Sequence, residues 1–303
     1  MTTTTDTAPP VPAPPKPRRT TGHAPGSKGS VRARTMRWVF LLLFGLFILL
    51  PLYVLIVTSL KVSSDVSAST AWSLPSQLSA QGWIDAWDQL APPLGRSLIL
   101  GVSVAVLSSI LGAMNGFVFA RWRFPGDTTV FTLFLFGMFI PYQAVMIPLQ
   151  AMLLSVEGQA AWFQGIVKLI AVHTIFGIPI CTLIFRNYYA TALPKELLEA
   201  ATVDGAGMLR TFRSIVLPIS APAFVVTMIW QFTSAWNDFL FALFLTTRQN
   251  GPVTYALNEL AGGQNPDYPS IMAGVLLASL PTLVVYILLG RYFIGGLMSG
   301  SVK

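Results

Sequence analysis

Residues 38–60 read WVFLLLFGLFILLPLYVLIVTSL, an apolar run that contains no charged residue. A helix rises 1.5 Å per residue and the hydrocarbon core of a bilayer is about 30 Å thick, so about 20 apolar residues suffice to cross it. The run is too long for a secretory signal and no small-residue cleavage site follows it. It therefore predicts a retained transmembrane helix and a fold whose solvent is largely lipid.

Five further stretches pass the same length test and extend the prediction along the chain. They are residues 97–120, 129–154, 161–185, 219–246 and 271–290. The fourth span contains Lys168 and the fifth contains Asp238, and the other spans carry no charge. The sequence thus predicts an all-α membrane protein with six transmembrane helices.

The composition agrees with this class and excludes several others. Of 303 residues, 53% are hydrophobic and only 10% are charged, against about 25% charged in a soluble domain. One Cys and two His exclude a disulfide within the chain and make a zinc site implausible. The net charge of +7 would suit a nucleic-acid-binding protein only if the basic residues formed one patch.

The positions of the basic residues instead indicate an orientation. If residue 1 is cytoplasmic and the spans alternate, all but four of the 19 Lys and Arg residues fall on the inner side. The exceptions are Lys61, Arg96, Lys168 and Arg248. This asymmetry follows the positive-inside rule, so we expect both termini in the cytoplasm of a prokaryotic cell and no nucleic-acid partner.

The first 37 residues differ in character from the rest. They hold seven Pro, seven Lys or Arg and almost nothing apolar, so they cannot bury enough surface to offset their chain entropy. The sequence predicts a disordered basic tail at 1–37 and one six-span domain at 38–303.

Two predicted outer loops are long, at 61–96 and 247–270. The first contains Trp72, Trp83 and Trp87. Tryptophans at this level are typical of an aromatic belt at the lipid interface. A docking surface for an outside partner is the alternative, and both interpretations stay open.

Individual residues inside the spans have ordinary structural interpretations. Lys168 is predicted to extend its amine to the outer interface, and His173 to hydrogen bond between helices. Pro141, Pro148 and Pro179 are predicted to kink their helices.

The inner segment at 186–218 is patterned as two short helices. Pro194 suits a helix first turn, Glu196 and Glu199 favour a helix N-terminus, and Gly205 can end a helix in the left-handed conformation. A second helical stretch then runs to Pro218. A simple connection needs no such pair, so the segment is predicted to dock onto something on the cytoplasmic side.

At this point the sequence resembles a known family. Glu199-Ala-Ala201, Gly205 and Ile215-x-Leu217-Pro218 resemble the "EAA" loop of ABC importer membrane subunits in both spacing and position between two spans. The resemblance to the carbohydrate-uptake (maltose-type) branch rests on further residues: Asp204, Ala206, Phe212, Pro222, the stretches 120–126 and 236–240, and the ending 290–303.

The resemblance implies a type I ABC importer permease and a division of labour. A second permease subunit would complete the path, two ATP-binding subunits would bind ATP and Mg²⁺, and an extracytoplasmic protein would deliver a sugar. This chain has no Gly-rich phosphate loop with Lys-Ser/Thr, so it is predicted to be no enzyme and to hold no cofactor or metal. The ATPase-coupling residues implied by the resemblance are Glu199, Ala200, Ala201, Asp204, Gly205, Ala206, Phe212, Ile215, Leu217 and Pro218.

Span five carries the predicted substrate contacts. Trp236 could stack on the apolar face of a sugar while Asn237 and Asp238 bond its hydroxyls, or Asn237 and Asp238 could instead join neighbouring helices. Residues 173–187 and 252–260 most resemble glucose/mannose-type permeases. Disaccharides, small oligosaccharides and glycerol phosphate are the alternative substrates.

Two other classes of protein stay open at this stage. An ion-coupled secondary transporter would use Asp238 as its ion site, although no inverted repeat is visible. A membrane anchor for a cytoplasmic enzyme would explain the docking loop but not the polar residues at mid-membrane.

Overall fold

The computed structural model describes residues 31–160 and 162–298, without the side chains of Val31 and of residues 291–298. These residues form helices and turns, and no strand occurs among them. The helices are α1 (Val31–Ser59), α2 (Gln81–Arg121), α3 (Asp127–Phe136), α4 (Tyr142–Gln159), α5 (Ile166–Ala192), α6 (Lys195–Val203), α7 (Met208–Ile219), α8 (Ala221–Asn237), α9 (Leu240–Leu245), α10 (Val253–Ala261) and α11 (Tyr268–Met298).

The chain divides into two compact units, residues 1–50 and 51–303. In the first unit, α1 begins at Val31 rather than at Trp38. The tail prediction is therefore wrong for residues 31–37, because this proline-free run contains good helix formers and extends the apolar helix beyond its span. Residues 1–30 of the predicted tail lie outside the described residues.

Helix α2 begins at Gln81, well before the predicted span at Ser97, and passes through Pro92 and Pro93 without ending. Its 41 residues correspond to about 60 Å of helix, twice the hydrocarbon thickness. The part before Arg96 carries Asp85 and Asp88, so it projects beyond the hydrocarbon. Much of the predicted 61–96 loop is thus helical.

Two of the predicted spans are broken rather than straight. The segment predicted as span three consists of α3 and α4, which meet at 95°, and Pro141 lies at the break, where its missing N–H ends the helix ladder. Pro148, in contrast, lies inside α4. The predicted span five stops at Asn237 and resumes at Leu240.

Four described helices are long and apolar enough to cross a membrane, or up to six if each bent pair is one span. The bent pairs are α3 with α4, and α7 with α8, which meet at 80°. Span four starts at Ile166; its predicted first residue, Ala161, lies outside the described residues. The six-span count and the cytoplasmic termini stay predictions.

Helices α2 and α5 form the closest pair in the second unit. A Cβ added at Gly112 would lie 2.3 Å from Cys181 Cβ, and one added at Gly116 would lie 2.7 Å from Phe185 Cβ. Glycines four residues apart bring two backbones into contact, which is how helices associate in lipid without a hydrophobic driving force. The lone cysteine is a buried packing residue in this contact.

The segment between α1 and α2 is held by polar contacts. Lys61 is buried and donates to the Thr70 carbonyl at 2.6 Å, and Ser63 donates to the Asp267 carboxylate at 2.5 Å. Burial raises the pKa of Asp267, but the hydrogen bonds from Ser270 and Ser63 outweigh it and hold that pKa below its usual value. Trp72 lies in this segment and Trp87 in α2, and both are exposed. Their exposure fits an aromatic belt at the lipid interface or a docking surface, so both interpretations stay open.

Candidate substrate path and coupling loop

A cavity of about 350 Å³ lies where α8 breaks before α9. Its walls come from α4, α5, α8 and α9, and they combine aromatic faces with hydrogen-bonding groups. The aromatic residues are Tyr142, Phe176, Trp230 and Phe241; the polar ones are His173, Gln231, Ser234, Asn237 and Asp238; Gly177 and Ile180 complete the lining. This is the composition of a site for a small polar ligand with apolar faces.

Asp238 is the residue at which the helix breaks. One carboxylate oxygen, Oδ2, accepts the Ala242 backbone N–H at 3.2 Å and so satisfies a free donor at the start of α9. The same oxygen lies 3.4 Å from His173 Nε2. That nitrogen is buried and makes no hydrogen bond of acceptable geometry among the described residues, so Asp238 is the group closest to pairing with it.

Asn237 and Gln231 complete the polar wall in different ways. Asn237 is exposed to the cavity and donates to the Thr233 carbonyl at 3.0 Å. Gln231 is buried and donates to the Gly177 carbonyl at 2.9 Å, which joins α8 to α5. Gln231 therefore holds the helices together at the depth of the cavity, while Asn237 has its amide oxygen free for a ligand.

The coupling loop, residues 186–218, has the predicted helix–glycine–helix form, although its first part, to Ala192, belongs to α5. Helix α6 ends at Val203, and Gly205, two residues later, has a left-handed φ of 71°. The Ala206 N–H bonds to the Ala201 carbonyl at 2.9 Å and the Gly205 N–H to the Thr202 carbonyl at 3.0 Å. These two bonds form a Schellman cap, which satisfies the last carbonyls of α6.

The two faces of this loop differ sharply in burial. Ala201, Phe212 and Val216 are buried against the rest of the chain, and Ile215 is half-buried. Glu199, Ala200, Asp204, Leu217 and Pro218 are exposed, and so are the apolar Val203 at 88% and Leu209 at 70%. Exposed apolar side chains next to an exposed carboxylate are typical of a surface that another protein covers.

The comparison with known families decides the class of this protein. The family described as "Binding-protein-dependent transport system inner membrane component" matches residues 108–294, more than half of the chain. This range contains the loop, the broken helix and the cavity. The chain belongs to this family. As a permease subunit of an ABC transporter it is a membrane component and not an enzyme, and the resemblance seen in its sequence is confirmed at the family level.

Curated relatives match almost the whole length of the permease. It is 34% identical to the xylose/arabinose import permease protein of Haloferax volcanii, over 87% of this chain and 92% of the relative. It is 32% identical to the melibiose/raffinose/stachyose import permease protein of Bacillus subtilis, over 90% of this chain and 99% of the relative.

A solved structure shows the same fold. The crystal structure of a bacterial ABC transporter involved in the import of the acidic polysaccharide alginate contains a chain that superposes with a TM-score of 0.71 at 18% identity. The match covers 88% of the permease and 98% of that chain. The all-α ABC importer permease fold predicted from the sequence is thereby confirmed.

One predicted substrate contact is not at the cavity. The Trp236 indole of the permease is buried, stacks on Phe232 at 5.4 Å and donates to the Ala278 carbonyl of α11 at 3.0 Å. Asn237 and Asp238 follow Trp236 directly, but the helical rotation of about 100° per residue points the indole at α11. In this structure Trp236 joins α8 to α11 and is not available to stack on a ligand.

Lys168 has a partner that the prediction did not include. Its side chain is buried, and its amine lies 2.9 Å from the Glu157 carboxylate at the end of α4. A buried amine is stable only with an opposite charge nearby, because desolvation otherwise disfavours the ion. Lys168 therefore pairs across the α4–α5 connection, and its position relative to the lipid interface stays a prediction.

The cavity residues do follow a pattern in the sequence, and most of them are not among the predicted substrate contacts. Along α8 and its C-cap, Gln231, Ser234 and Asp238 recur at i, i+3 and i+7, and on α5 His173, Gly177 and Ile180 recur at i, i+4 and i+7. Polar residues at helical spacing within an apolar span mark one face. Only the structure shows that the two faces meet.

Proposed function

We propose that this permease forms half of the translocation path of an ATP-driven importer for a neutral sugar. The observation that carries the proposal is the cavity at the α8–α9 break. Its aromatic rings offer flat apolar faces to the C–H surface of a sugar, and Ser234, Asn237 and Asp238 offer donors and acceptors for its hydroxyls. A sugar needs both kinds of contact at once.

The charge of the cavity supports a neutral substrate. Among the described residues, no Lys or Arg lines it, and Asp238 provides a carboxylate. An anion such as glycerol phosphate would meet this carboxylate in a site of low dielectric, where repulsion is strong. The relatives named for xylose, arabinose and melibiose agree with an uncharged sugar.

The narrower expectation, a glucose/mannose-type sugar, rests on residues 173–187 and 252–260. The first stretch supplies His173, Phe176, Gly177 and Ile180 to the cavity, so the resemblance there concerns residues of the proposed path. The relatives named for pentoses and for galactosides make these sugars, and small oligosaccharides, the necessary comparisons in any test.

The proposed partners follow from the family and from the exposed surfaces. A second permease subunit would complete the path, two cytoplasmic subunits would bind ATP and Mg²⁺, and an extracytoplasmic protein would deliver the sugar. The exposed face of the 186–218 loop supports docking of an ATPase, and the exposed apolar side chains of α1 suit lipid or the second permease. This assignment places the loop and both termini in the cytoplasm.

Ion-coupled transport through Asp238 is the competing function. Membership of a binding-protein-dependent family argues against it. The two functions also differ in what drives uptake: the first requires a partner ATPase, and the second requires only an ion gradient.

The test is uptake by proteoliposomes that contain the purified permease, its partner permease, the ATPase and the binding protein. We expect uptake of one labelled neutral sugar, among glucose, mannose, xylose and melibiose, to depend on ATP inside the vesicles. Uptake of glycerol phosphate instead would contradict the neutral-sugar assignment. Uptake driven by a proton or sodium gradient with a hydrolysis-deficient ATPase would contradict the ATP-driven mechanism.

A further inference from the structure

The bend between α7 and α8 is the part of the chain through which the coupling loop connects to the cavity wall. The two helices meet at 80° around Ser220. Pro222 lacks an N–H, so the Pro218 carbonyl has no helical donor and is displaced by the proline ring. Just before the bend, Phe212–Val216 form a π-helical turn. Both features leave backbone groups outside the regular ladder and make the bend deformable.

Two consecutive tyrosines of α5 hold this bend by side-chain bonds. The Tyr188 hydroxyl donates to the Ile219 carbonyl at 2.8 Å. The Ser220 hydroxyl donates to the Tyr189 hydroxyl oxygen at 2.9 Å. Neighbouring residues of one helix thus bind neighbouring residues of the bend, and two bonds fix its angle where one would allow rotation.

Tyr189 is itself fixed by buried packing, whereas Tyr188 is half-buried. Tyr189 and Ser220 are fully buried, and the Tyr189 ring packs edge-on against Phe117 of α2 at 6.2 Å. Arg121 of α2 donates to the Tyr189 carbonyl at 2.6 Å and also to the Leu193 carbonyl, which holds the end of α5. A hydrogen bond in such surroundings is not exchanged for water when the bend moves.

The position of these bonds links the two functional parts of the permease. Tyr188 and Tyr189 lie one turn before the end of α5, and Ser220 lies directly before α8. The last turns of α8 carry Trp230, Gln231 and Asn237 into the cavity. A displacement of the loop reaches the cavity as a rigid movement only if the bend keeps its angle.

We infer that Tyr188 and Tyr189 lock the α7–α8 bend, so that the coupling loop and the cavity wall move as one piece. The inference rests on the proposed function for its role in transport, but the lock itself is a property of this chain. The two tyrosines are positioning residues: they contact neither ATP nor sugar. Removal of their hydroxyls uncouples ATP hydrolysis from transport, while the ATPase and the binding protein still bind.

The test compares Tyr188→Phe/Tyr189→Phe with the wild type in the reconstituted complex. Each substitution removes only a hydroxyl and retains the ring. We expect normal ATPase pull-down and retained binding-protein-stimulated hydrolysis, with the sugar transported per ATP hydrolysed reduced at least about fivefold, the low end of what two lost hydrogen bonds cost. Tyr286→Phe, an exposed tyrosine of α11, is the matched control and should leave this ratio unchanged.

A second variant separates a lock from a general loss of stability. Ser220→Ala removes the Tyr189 bond from the other side and also the Ser220 bond to the Val216 carbonyl. Tyr189→Phe/Ser220→Ala should therefore be no worse than Ser220→Ala alone. An unchanged transport-to-hydrolysis ratio in the double phenylalanine variant would overturn the inference. A fall in the transport-to-hydrolysis ratio that only matches the loss of assembled complex would also overturn it.

A structural readout keeps this test independent of the proposed function. Spin labels at Val203→Cys and Ser234→Cys report the distance between the loop and the cavity wall in the purified permease in nanodiscs. We expect the distance distribution to broaden when both tyrosines are phenylalanine, and to stay narrow in the Tyr286→Phe control. Identical distributions would disprove the lock even if transport proves ATP-driven; broadening without ATP-driven uptake would contradict the proposed function alone.

Discussion

At the scale of single residues, Asp238 has two separable roles. Its carboxylate faces the cavity, and its Oδ2 accepts the Ala242 N–H at the start of α9. Asp238→Asn retains an oxygen that can accept this bond but removes the charge. We therefore expect Asp238→Asn to reduce sugar uptake strongly while the complex purifies intact with normal basal ATP hydrolysis.

Asp238→Ala should add a stability defect to the same transport defect. Loss of a capping acceptor costs about 1 kcal/mol, which thermal unfolding of the purified permease can detect. Asp85→Asn is the matched control, since Asp85 is half-exposed and its carboxylate bonds only locally, to Gln81 at 2.8 Å. Disassembly of the complex in Asp238→Asn would show that this residue is a helix clamp and not part of the path.

At the scale of elements, the coupling loop depends on one backbone conformation. Gly205 has a φ of 71°, whereas Gly207 has a φ of −69°, and neither would bring an added Cβ within 4 Å of another group. An added Cβ is therefore uncrowded within the chain at both positions. Only at Gly205 does it strain the backbone, by about 1–2 kcal/mol. Gly205→Ala should weaken ATPase pull-down and stimulated hydrolysis, while Gly207→Ala should not.

Larger changes in the same loop extend this comparison. Gly205→Val adds volume to the surface that docks, so it should abolish transport although the protein still inserts in the membrane. Glu199→Ala removes one exposed charge and should have a milder effect of the same kind. Normal hydrolysis and normal uptake in all of these variants would show that the loop is a simple connection.

The α2–α5 contact gives a second prediction at this scale. A Cβ at Gly112 would collide with Cys181 Cβ at 2.3 Å, whereas one at Gly95 of the same helix meets nothing within 4 Å. Overpacking of this kind costs about 1–3 kcal/mol. Gly112→Ala should lower the thermal unfolding temperature of the purified permease, and Gly95→Ala should leave it equal or slightly raised. An unchanged unfolding temperature in Gly112→Ala would show that the two helices can separate freely.

How much the sequence could predict differs between these elements, for physical reasons. Caps and turns are local, so Pro194, the EAA residues and Gly205 were sufficient to predict the loop and its hinge. The orientation of Trp236 depends on the rotation of α8 against α11, which no local pattern determines. The extension of α2 to Gln81 was missed because Pro92, Pro93 and two acidic residues resemble a loop, although the helix tolerates them there.

At the scale of the whole molecule, the loop and the cavity lie at opposite ends of α8. That helix has 17 residues, or about 25 Å at 1.5 Å per residue. Most of a bilayer's thickness thus separates the surface where an ATPase would dock from the groups that would contact sugar. If the proposed function is right, movement must be transmitted over this distance, and the rigidity of the α7–α8 bend is then required for transport.

Topology decides which side of the membrane each end of α8 faces, and cysteine labelling can test it. The chain's lone cysteine, Cys181, is fully buried, so it provides a low background for a membrane-impermeant maleimide. Leu78, Trp162 and Val203 are 75%, 71% and 88% exposed, and each can be replaced by Cys. In intact cells we expect labelling of Leu78→Cys and Trp162→Cys, and labelling of Val203→Cys only after permeabilisation. If the bent α3–α4 pair entered and left on one side instead of crossing, Trp162→Cys would be protected and Val203→Cys labelled from outside. That pattern would refute the six-span arrangement and the cytoplasmic position of the coupling loop together.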